Sequence, residues 1–470
     1  MTMTTNIVTT LHPDVQRKFH HNAHWALAGS IIYESLKVTH CFLLMQVLAP
    51  QLFGLVGSLL AILYFATYVV DLGATNSIPP FLHMFTQNRF TFRTFLFRYS
   101  LAPHLPFVLI GAFLTTLFVK ARFMMCPAYG IIGILVVAEA IRSFLRFFLH
   151  ITFQARHVVI VELILFIVVY LGGIWGPLCF NWYMTGAYEL TVNRIFIPHL
   201  IDSLCAVVIF ILFTYRYYRK LPGGDGASQV LPAGISRRLI VTRLFNYVLR
   251  VGRNLFTGNF LTPLFAVKFG LAAAGLFYFA SVAVNALQAI VKAIVGYSGN
   301  ALLATVKNSS QHAKKEAFEL LYQKFVTVVF PLFIFFGVNF RALLYVGHTE
   351  AVSTYILSVL VLYLIISCAD FFFVLYEQFY IIEEAADKLC LFKLLEFAVF
   401  YGLISSPVVS SPAITLMGLL GIRGVTLFII TTDAYYRWKI VPHIYSRLGY
   451  LWMWFIGSVG CACIVRWWVQ

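Results

Sequence analysis

Arg243, Asn246, Arg250 and Arg253 recur at three- and four-residue spacing, which puts guanidinium groups and an amide on one face of a helix. The stretch around them, Leu239 to Val267, is otherwise mostly apolar, so the sequence predicts a membrane-length helix with this stripe turned away from lipid. Charge at that depth is costly and marks a functional site by default. The stripe would face a cavity or an anionic partner, with Arg250 and Arg253 as its deepest donors. The alternative is snorkelling, or an ion pair with an acid on a neighbouring helix.

Four further constellations carry polar groups into apolar runs. Glu34 and Lys37 lie three residues apart with His40 one turn on. They form either a self-neutralising pair or an anion site (Lys37) beside an ion-exchanging acid (Glu34). Asn285, Gln288 and Lys292 share a stripe whose amides suit sugar hydroxyls or bonds between helices. Glu139, Arg142, Arg146, His150 and Gln154 follow one helix face, where Arg142 and Arg146 either receive an anion or mark the inner side. Asp71 and Asp370 are coupling-ion sites or partners for the arginines.

These groups must be positioned by membrane helices. Of the 470 residues, 61% are hydrophobic and 11% charged, with a mean hydropathy of +0.85, far from a soluble domain. Apolar runs this continuous call for helices, since a bilayer core about 30 Å thick offers backbone groups no water. Spans are predicted near 24–47, 52–72, 95–119, 127–150, 157–178, 194–215, 239–266, 269–296, 323–346, 352–376, 390–406, 412–432 and 448–468. The first is read as a retained signal anchor. Lys and Arg gather at Arg89, Arg93, Arg156, Arg216, Arg219, Lys220, Arg237, Arg238, Lys307, Lys314, Lys315, Arg437, Lys439 and Arg447, which sets the N-terminus in the cytoplasm. Topology thus explains the net charge of +16, and no nucleic-acid partner is expected.

No phosphate-binding loop, GxSxG elbow or HExxH motif is present, and the first outer loop is too short to hold catalytic acids. The eight cysteines show no CxxC or metal spacing. No enzyme, metal or cofactor is expected. The Phe-rich composition, 17% aromatic with 46 Phe, reads as packing and interfacial belt.

The connector Leu221-Pro222-Gly223-Gly224-Asp225-Gly226-Ala227-Ser228 divides twelve spans evenly. Phe53-Gly54-Leu55 and Tyr64-Phe65-Ala66-Thr67 in the first half match Phe269-Gly270-Leu271 and Tyr278-Phe279-Ala280-Ser281 in the second. Repeats of six spans run parallel, related by an axis along the membrane normal, and substrates commonly bind between such halves. The expected parts are a cytoplasmic segment 1–23, a six-helix lobe 24–216, a connector 217–236, a second six-helix lobe 237–435, and a basic linker with one more transmembrane helix at 436–470.

Gln46-Val47-Leu48-Ala49-Pro50-Gln51-Leu52-Phe53-Gly54-Leu55 and Val70-Asp71-Leu72-Gly73-Ala74 resemble the opening of polysaccharide flippases. Gly234 to Gly275, with Asn259-Phe260-Leu261 before Phe269-Gly270, looks like the start of their second half. These are the Wzx-type O-antigen and exopolysaccharide translocases of the MOP superfamily, which also holds the lipid II flippases and MATE exporters. The likeness in layout covers about residues 24–435; Ala49 in place of Gly and the thirteenth span depart from it.

The resemblance implies an all-α membrane protein whose two six-helix lobes, related by a pseudo-two-fold, form a V around a cavity, with Lys37, Asp71, Arg250, Arg253 and Lys292 as cavity residues. It implies translocation of a polyprenyl-diphosphate-linked glycan across a bacterial inner membrane, beside membrane lipids and glycan polymerase or assembly proteins. Coupling would be to H+, Na+ or the membrane potential, through Glu34, Asp71 or Asp370. Arg142 and Arg146 would join the headgroup path, and Asn246, Asn285 and Gln288 would meet sugar. The rivals are a MATE-like exporter of small molecules and a transferase, polymerase or scaffold of a glycan pathway.

Overall fold

The computed structural model describes residues 13–72, 88–123, 128–152, 154–185, 190–223, 235–291, 354–382, 386–406 and 409–438, with scattered positions between 310 and 338. The described residues form helices and no strand, as composition requires. In chain order the helices are α1 (Pro13–Val47), α2 (Pro50–Val70), α3 (Arg89–Arg122), α4 (Tyr129–Ile151), α5 (Ala155–Thr185), α6 (Val192–Lys220) and α7 (Ile235–Asn254). There follow α8 (Gly258–Phe269), α9 (Leu271–Val291), α10 (Thr354–Ile382), α11 (Ala386–Ser405) and α12 (Pro412–Trp438). Among the described residues six helices are long and apolar enough to cross a membrane. The expected spans 323–346, mostly, and 448–468, wholly, lie outside the described residues.

Local chemistry sets the boundaries. Pro50 opens α2, where its missing N–H costs nothing. Asn88 and Thr91 form a reciprocal capping box at the start of α3: Thr91 N–H donates to Asn88 Oδ1 at 2.8 Å. The Arg89 side chain then reaches back to the carbonyls of Arg219 (2.7 Å) and Leu221 (3.0 Å), satisfying acceptors at the end of α6. Both α3 and α5 carry a π-helical segment, at Phe95–Leu101 and Phe166–Leu171.

The predicted span 239–266 is two helices, α7 and α8, broken at 255–257. The break changes the setting of the arginine stripe. Arg250 and Arg253 lie in the last turns of α7, where the helix dipole favours cations, rather than halfway along one spanning helix.

The chain divides into two compact units. Unit 1 comprises Met1–Leu52 and Leu59–Asn254, and unit 2 comprises Phe53–Ser58 and Leu255–Gln470. In unit 1, Phe95, Phe144, Leu149, Val158, Ala206 and Phe210 join α3, α4, α5 and α6 into one core. The outer faces carry exposed Phe113 and Leu114 on α3, Val168 on α5 and Leu212 on α6, residues that a lipid surface solvates.

In unit 2 the first turns of α2 cross α9 at backbone distance. A Cβ on Gly54 would stand 1.7 Å from the Leu271 carbonyl oxygen, so only glycine permits the approach. Phe53 meets Tyr278 edge-on at 6.0 Å. Gly270, matched with Gly54 in sequence, does different work: it joins α8 to α9 at φ +92°, in the left-handed region.

Candidate functional site

Three helices of unit 1 converge on a buried guanidinium. Arg142 of α4 places Nη1 2.6 Å from Asp202 Oδ2 of α6 and 3.1 Å from Glu139 Oε1, one turn back on its own helix. Its Nε is 3.6 Å from Glu162 Oε1 of α5. Arg146, one turn on, shares Glu162 at 3.3 Å, with its side chain 43% exposed against 4% for Arg142. The Ser203 hydroxyl donates to Glu139, and His199 Nε2 stands 3.8 Å from the same carboxylate. Three carboxylates thus face two arginines. With a neutral His199 the cluster holds one negative charge in excess.

Beside it, Lys37 of α1 pairs with Glu34 at 3.2 Å, and its ammonium lies 5.3 Å from the Tyr33 ring centroid and 5.9 Å from that of Tyr64. Of the two readings of this pair, the geometry displays the self-neutralising one. His40, one turn further, is fixed on both nitrogens. Trp175 Nε1–H donates to Nδ1 at 3.0 Å, which leaves Nε2–H to donate to Tyr170 Oη at 3.3 Å. The π-helical segment of α5 brings Phe166 to 4.8 Å from Tyr33, and Tyr170 to 5.1 Å from His40 and 5.3 Å from His199.

Unit 2 holds a second charged cluster on α10, α11 and α12. Arg423 Nη2 is 2.7 Å from Asp370 Oδ1, and its Nη1 is 2.8 Å from Glu396 Oε1. Lys393 Nζ takes Glu396 Oε2 at 3.0 Å. Two acids balance two bases. Aromatic faces cover the cations: the Arg423 guanidinium carbon is 4.3 Å from the Phe256 centroid and 5.5 Å from that of Phe373, and Lys393 Nζ is 3.4 Å from Phe373.

Asp370 is therefore in an ion cluster, with Arg423 as its near partner. Lys393, Glu396, Arg423, Glu162, His199 and Asp202 escaped the sequence reading. Each is an ionisable residue inside an apolar run, the same signal that singled out Arg142.

The stripe of α7 differs from both clusters. Arg243 is half-buried, and its Nε and Nη2 are shielded from solvent without a hydrogen-bond partner. Asn246 is also half-buried, while Ile240 and Leu244 on another face are 65% and 61% exposed. The backbone places Arg250 and Arg253 on α7, and their side chains lie outside the described residues. Asp71 is buried at the end of α2, next to Leu72 at φ +48°. On α9, Asn285 is half-buried and Gln288 buried; Lys292 lies outside the described residues. Among the described residues no group of His, Cys, Asp and Glu could hold a metal ion.

No protein-family model matches the chain, and no curated protein matches it in sequence. Solved structures do match in fold. An inward-facing multidrug resistance MATE family transporter of the MOP superfamily superposes with a TM-score of 0.59 at 12% identity, over 89% of this chain and 94% of that one. A MATE in complex with MaD3S gives 0.57 at 10%, over 90% and 96%. A MOP superfamily transporter from Pyrococcus furiosus, whose binding pocket is described as of reverse polarity, gives 0.55 at 9%, over 90% and 95%. The chain has the all-α fold of MOP superfamily transporters.

Proposed function

We propose that this protein is a transporter that moves an anionic lipid-linked glycan, a polyprenyl-diphosphate oligosaccharide, from the cytoplasmic to the outer leaflet of a bacterial inner membrane. The observation that carries the reading is the charge of α7. Its twenty residues include five arginines and no acid, and Arg243 presents shielded N–H groups without a hydrogen-bond partner. The interior acids Glu139, Glu162, Asp202, Asp370 and Glu396 are each ion-paired within their own unit. The one negative charge in excess in unit 1 lies on acids already paired, whereas a diphosphate needs the forked donors that α7 offers.

The fold is compatible with either sign of cargo, since a transporter of similar structure is itself described as having a pocket of reverse polarity. Lys37, Arg142 and Arg146 pair with acids, and we take Arg243, Arg250 and Arg253 as the headgroup residues. Asn246, Asn285 and Gln288 are the amides for sugar hydroxyls. The lipid tail stays in the bilayer while the headgroup crosses, driven by a proton or sodium gradient or by the membrane potential.

The deciding experiment is flipping of a fluorescent polyprenyl-diphosphate oligosaccharide in proteoliposomes, under imposed ion gradients and potentials. Flipping by the parent, lost in Arg250→Ala and Arg253→Ala variants that insert equally well, is the expected result. Export of a cationic dye without glycolipid flipping would replace this reading with a MATE-like exporter. No transport of either would favour a non-transporting component of a glycan pathway.

A further inference from the structure

Within unit 1, α3 begins where α6 ends. The Arg89 backbone N–H donates to the Pro222 carbonyl at 3.1 Å, and its side chain donates through Nε to the Leu221 carbonyl and through Nη2 to that of Arg219. Phe92 is buried under the same junction, with its ring 5.9 Å from Tyr217 and 6.1 Å from Tyr218. The two helix ends are therefore one structure.

That structure carries charge of a single sign. Arg89 and Arg93 of α3 and Arg216, Arg219 and Lys220 of α6 are all exposed, and residues 88–95 and 213–223 include no acid. None of the five pairs with an acid among the described residues. Each helix brings two of them exactly one turn apart, Arg89 with Arg93 and Arg216 with Lys220. Like charges at that spacing repel, and an anion set between them removes the cost.

Marking the inner side of a membrane asks only for an excess of Lys and Arg near the ends of spans, and loosely held side chains serve as well. Arg89 is not loosely held. Two of its three nitrogens are committed to carbonyls and its guanidinium carbon lies 6.0 Å from the Tyr218 ring centroid, while Nη1 has no acceptor among the described residues. A guanidinium fixed in this way presents its remaining donors without the entropy loss that a free side chain would suffer.

Apolar groups stand among the cations. Phe90, Arg93 and Phe97 follow one another at three and four residues, and the two rings are 47% and 58% exposed. Both α3 and α6 are long and apolar enough to cross a membrane, so their joined ends lie where hydrocarbon gives way to headgroups. A ligand that matches the junction is anionic at one end and apolar at the other.

We propose that the α3–α6 junction is a binding site for an anionic phospholipid. Arg89, Arg93, Arg219 and Lys220 hold the phosphodiester, and Phe90 and Phe97 lie along the acyl chains. The site does not rest on the reading of α7 as the headgroup helix of the cargo.

The test is native mass spectrometry of the full chain released from detergent micelles and titrated with phosphatidylglycerol, with phosphatidylcholine as the lipid of no net charge. Arg219→Gln combined with Lys220→Gln removes two cations and keeps the carbonyls that hold Arg89. Lys120→Gln combined with Arg122→Gln removes two exposed cations from the far end of α3 and is the charge-matched control. We expect the parent to prefer phosphatidylglycerol, the junction variant to bind it at least about tenfold more weakly, and the control to change by less than about twofold. Equal binding of the two lipids by the parent, or equal losses in both variants, overturns the site, since diffuse charge would then explain the binding.

If the junction variant does not assemble, Arg93→Gln is read in its place, with a weakening of about fivefold expected and an unchanged affinity counting against the site. A polyprenyl-diphosphate oligosaccharide is the competing probe. Displacement of phosphatidylglycerol by that glycolipid, one for one, would make the junction part of the cargo path and overturn the phospholipid assignment. A parent that flips no glycolipid yet binds phosphatidylglycerol as expected removes the cargo reading and leaves the lipid site.

Discussion

Arg142 and Asp202 meet at 2.6 Å with side chains 4% and 2% exposed, tying α4 to α6 in the interior of unit 1. Removing one partner of such a pair strands a charge where neither water nor lipid can solvate it. Asp202→Ala is therefore expected to lower stability by about 3–5 kcal/mol, and Asp202→Asn, which keeps an acceptor oxygen, by less. Denaturation in detergent micelles reads both. Equal stability of parent and Asp202→Ala would mean that Glu139 and Glu162 alone hold Arg142.

Arg423 presents the same situation in unit 2, doubled, because Asp370 and Glu396 both depend on it. Arg423→Met should cost at least as much as Asp202→Ala, about 3–5 kcal/mol. Arg423→Lys keeps the charge but not the fork and is expected to recover only part of that loss. Full recovery would show that charge, and not the paired geometry, is what the cluster needs.

For Lys37 and Glu34, 3.2 Å apart on one helix, the informative variant is the double one. Either Lys37→Met or Glu34→Gln alone leaves a charge in an apolar setting and should reduce the yield of folded protein. Together they should restore stability to within about 1 kcal/mol of the parent. A double variant that folds and transports at the parental rate assigns the pair to insertion alone, whereas one that folds but no longer transports assigns it a place in the pathway.

The α2–α9 crossing predicts intolerance at one glycine. Gly54→Val forces side-chain atoms into the Leu271 carbonyl and should cost about 3 kcal/mol or more. Gly130→Ala, where a Cβ meets nothing within 4 Å, serves as the control and should leave melting unchanged. A tolerated Gly54→Val would mean that α2 and α9 can part without loss.

Arg243 has no hydrogen bond at Nε or Nη2 to lose, so Arg243→Ala should cost only its attraction to buried Asp71, less than the about 3–5 kcal/mol of Asp202→Ala. If a phosphate oxygen uses those donors, flipping should fall about tenfold or more, the value of one charge-assisted hydrogen bond. Stability and transport falling together would instead place Arg243 in the framework.

Much of the helical layout is legible in the sequence because membrane helices are written in long apolar runs, and eleven of the predicted spans have described counterparts, one of them as two helices. The break at Leu255-Phe256-Thr257 is not legible, since no proline or glycine pair announces it and the contacts that hold it come from α10, α11 and α12, more than a hundred residues away. The same distance hides the ion clusters. Glu139, Arg142 and Arg146 stand out as a one-helix stripe, but Asp202 becomes their partner only when α6 packs on α4. Periodicity reads one helix at a time. Pairing between helices is a tertiary fact, which is why the sequence leaves Asp370 open between a coupling-ion site and a partner for an arginine, and only the packing supplies Arg423.

The two charged clusters occupy α4, α5 and α6 in one unit and α10, α11 and α12 in the other, yet their bases have changed helices. The central arginine sits on the first helix of the first trio and on the last helix of the second. No single substitution connects such arrangements without passing through a stranded charge. Among natural variants of this chain, these positions should accordingly change in pairs or not at all, so that Arg142 with Asp202, and Arg423 with Asp370 and Glu396, would be inherited as linked sets across otherwise drifting apolar sequence.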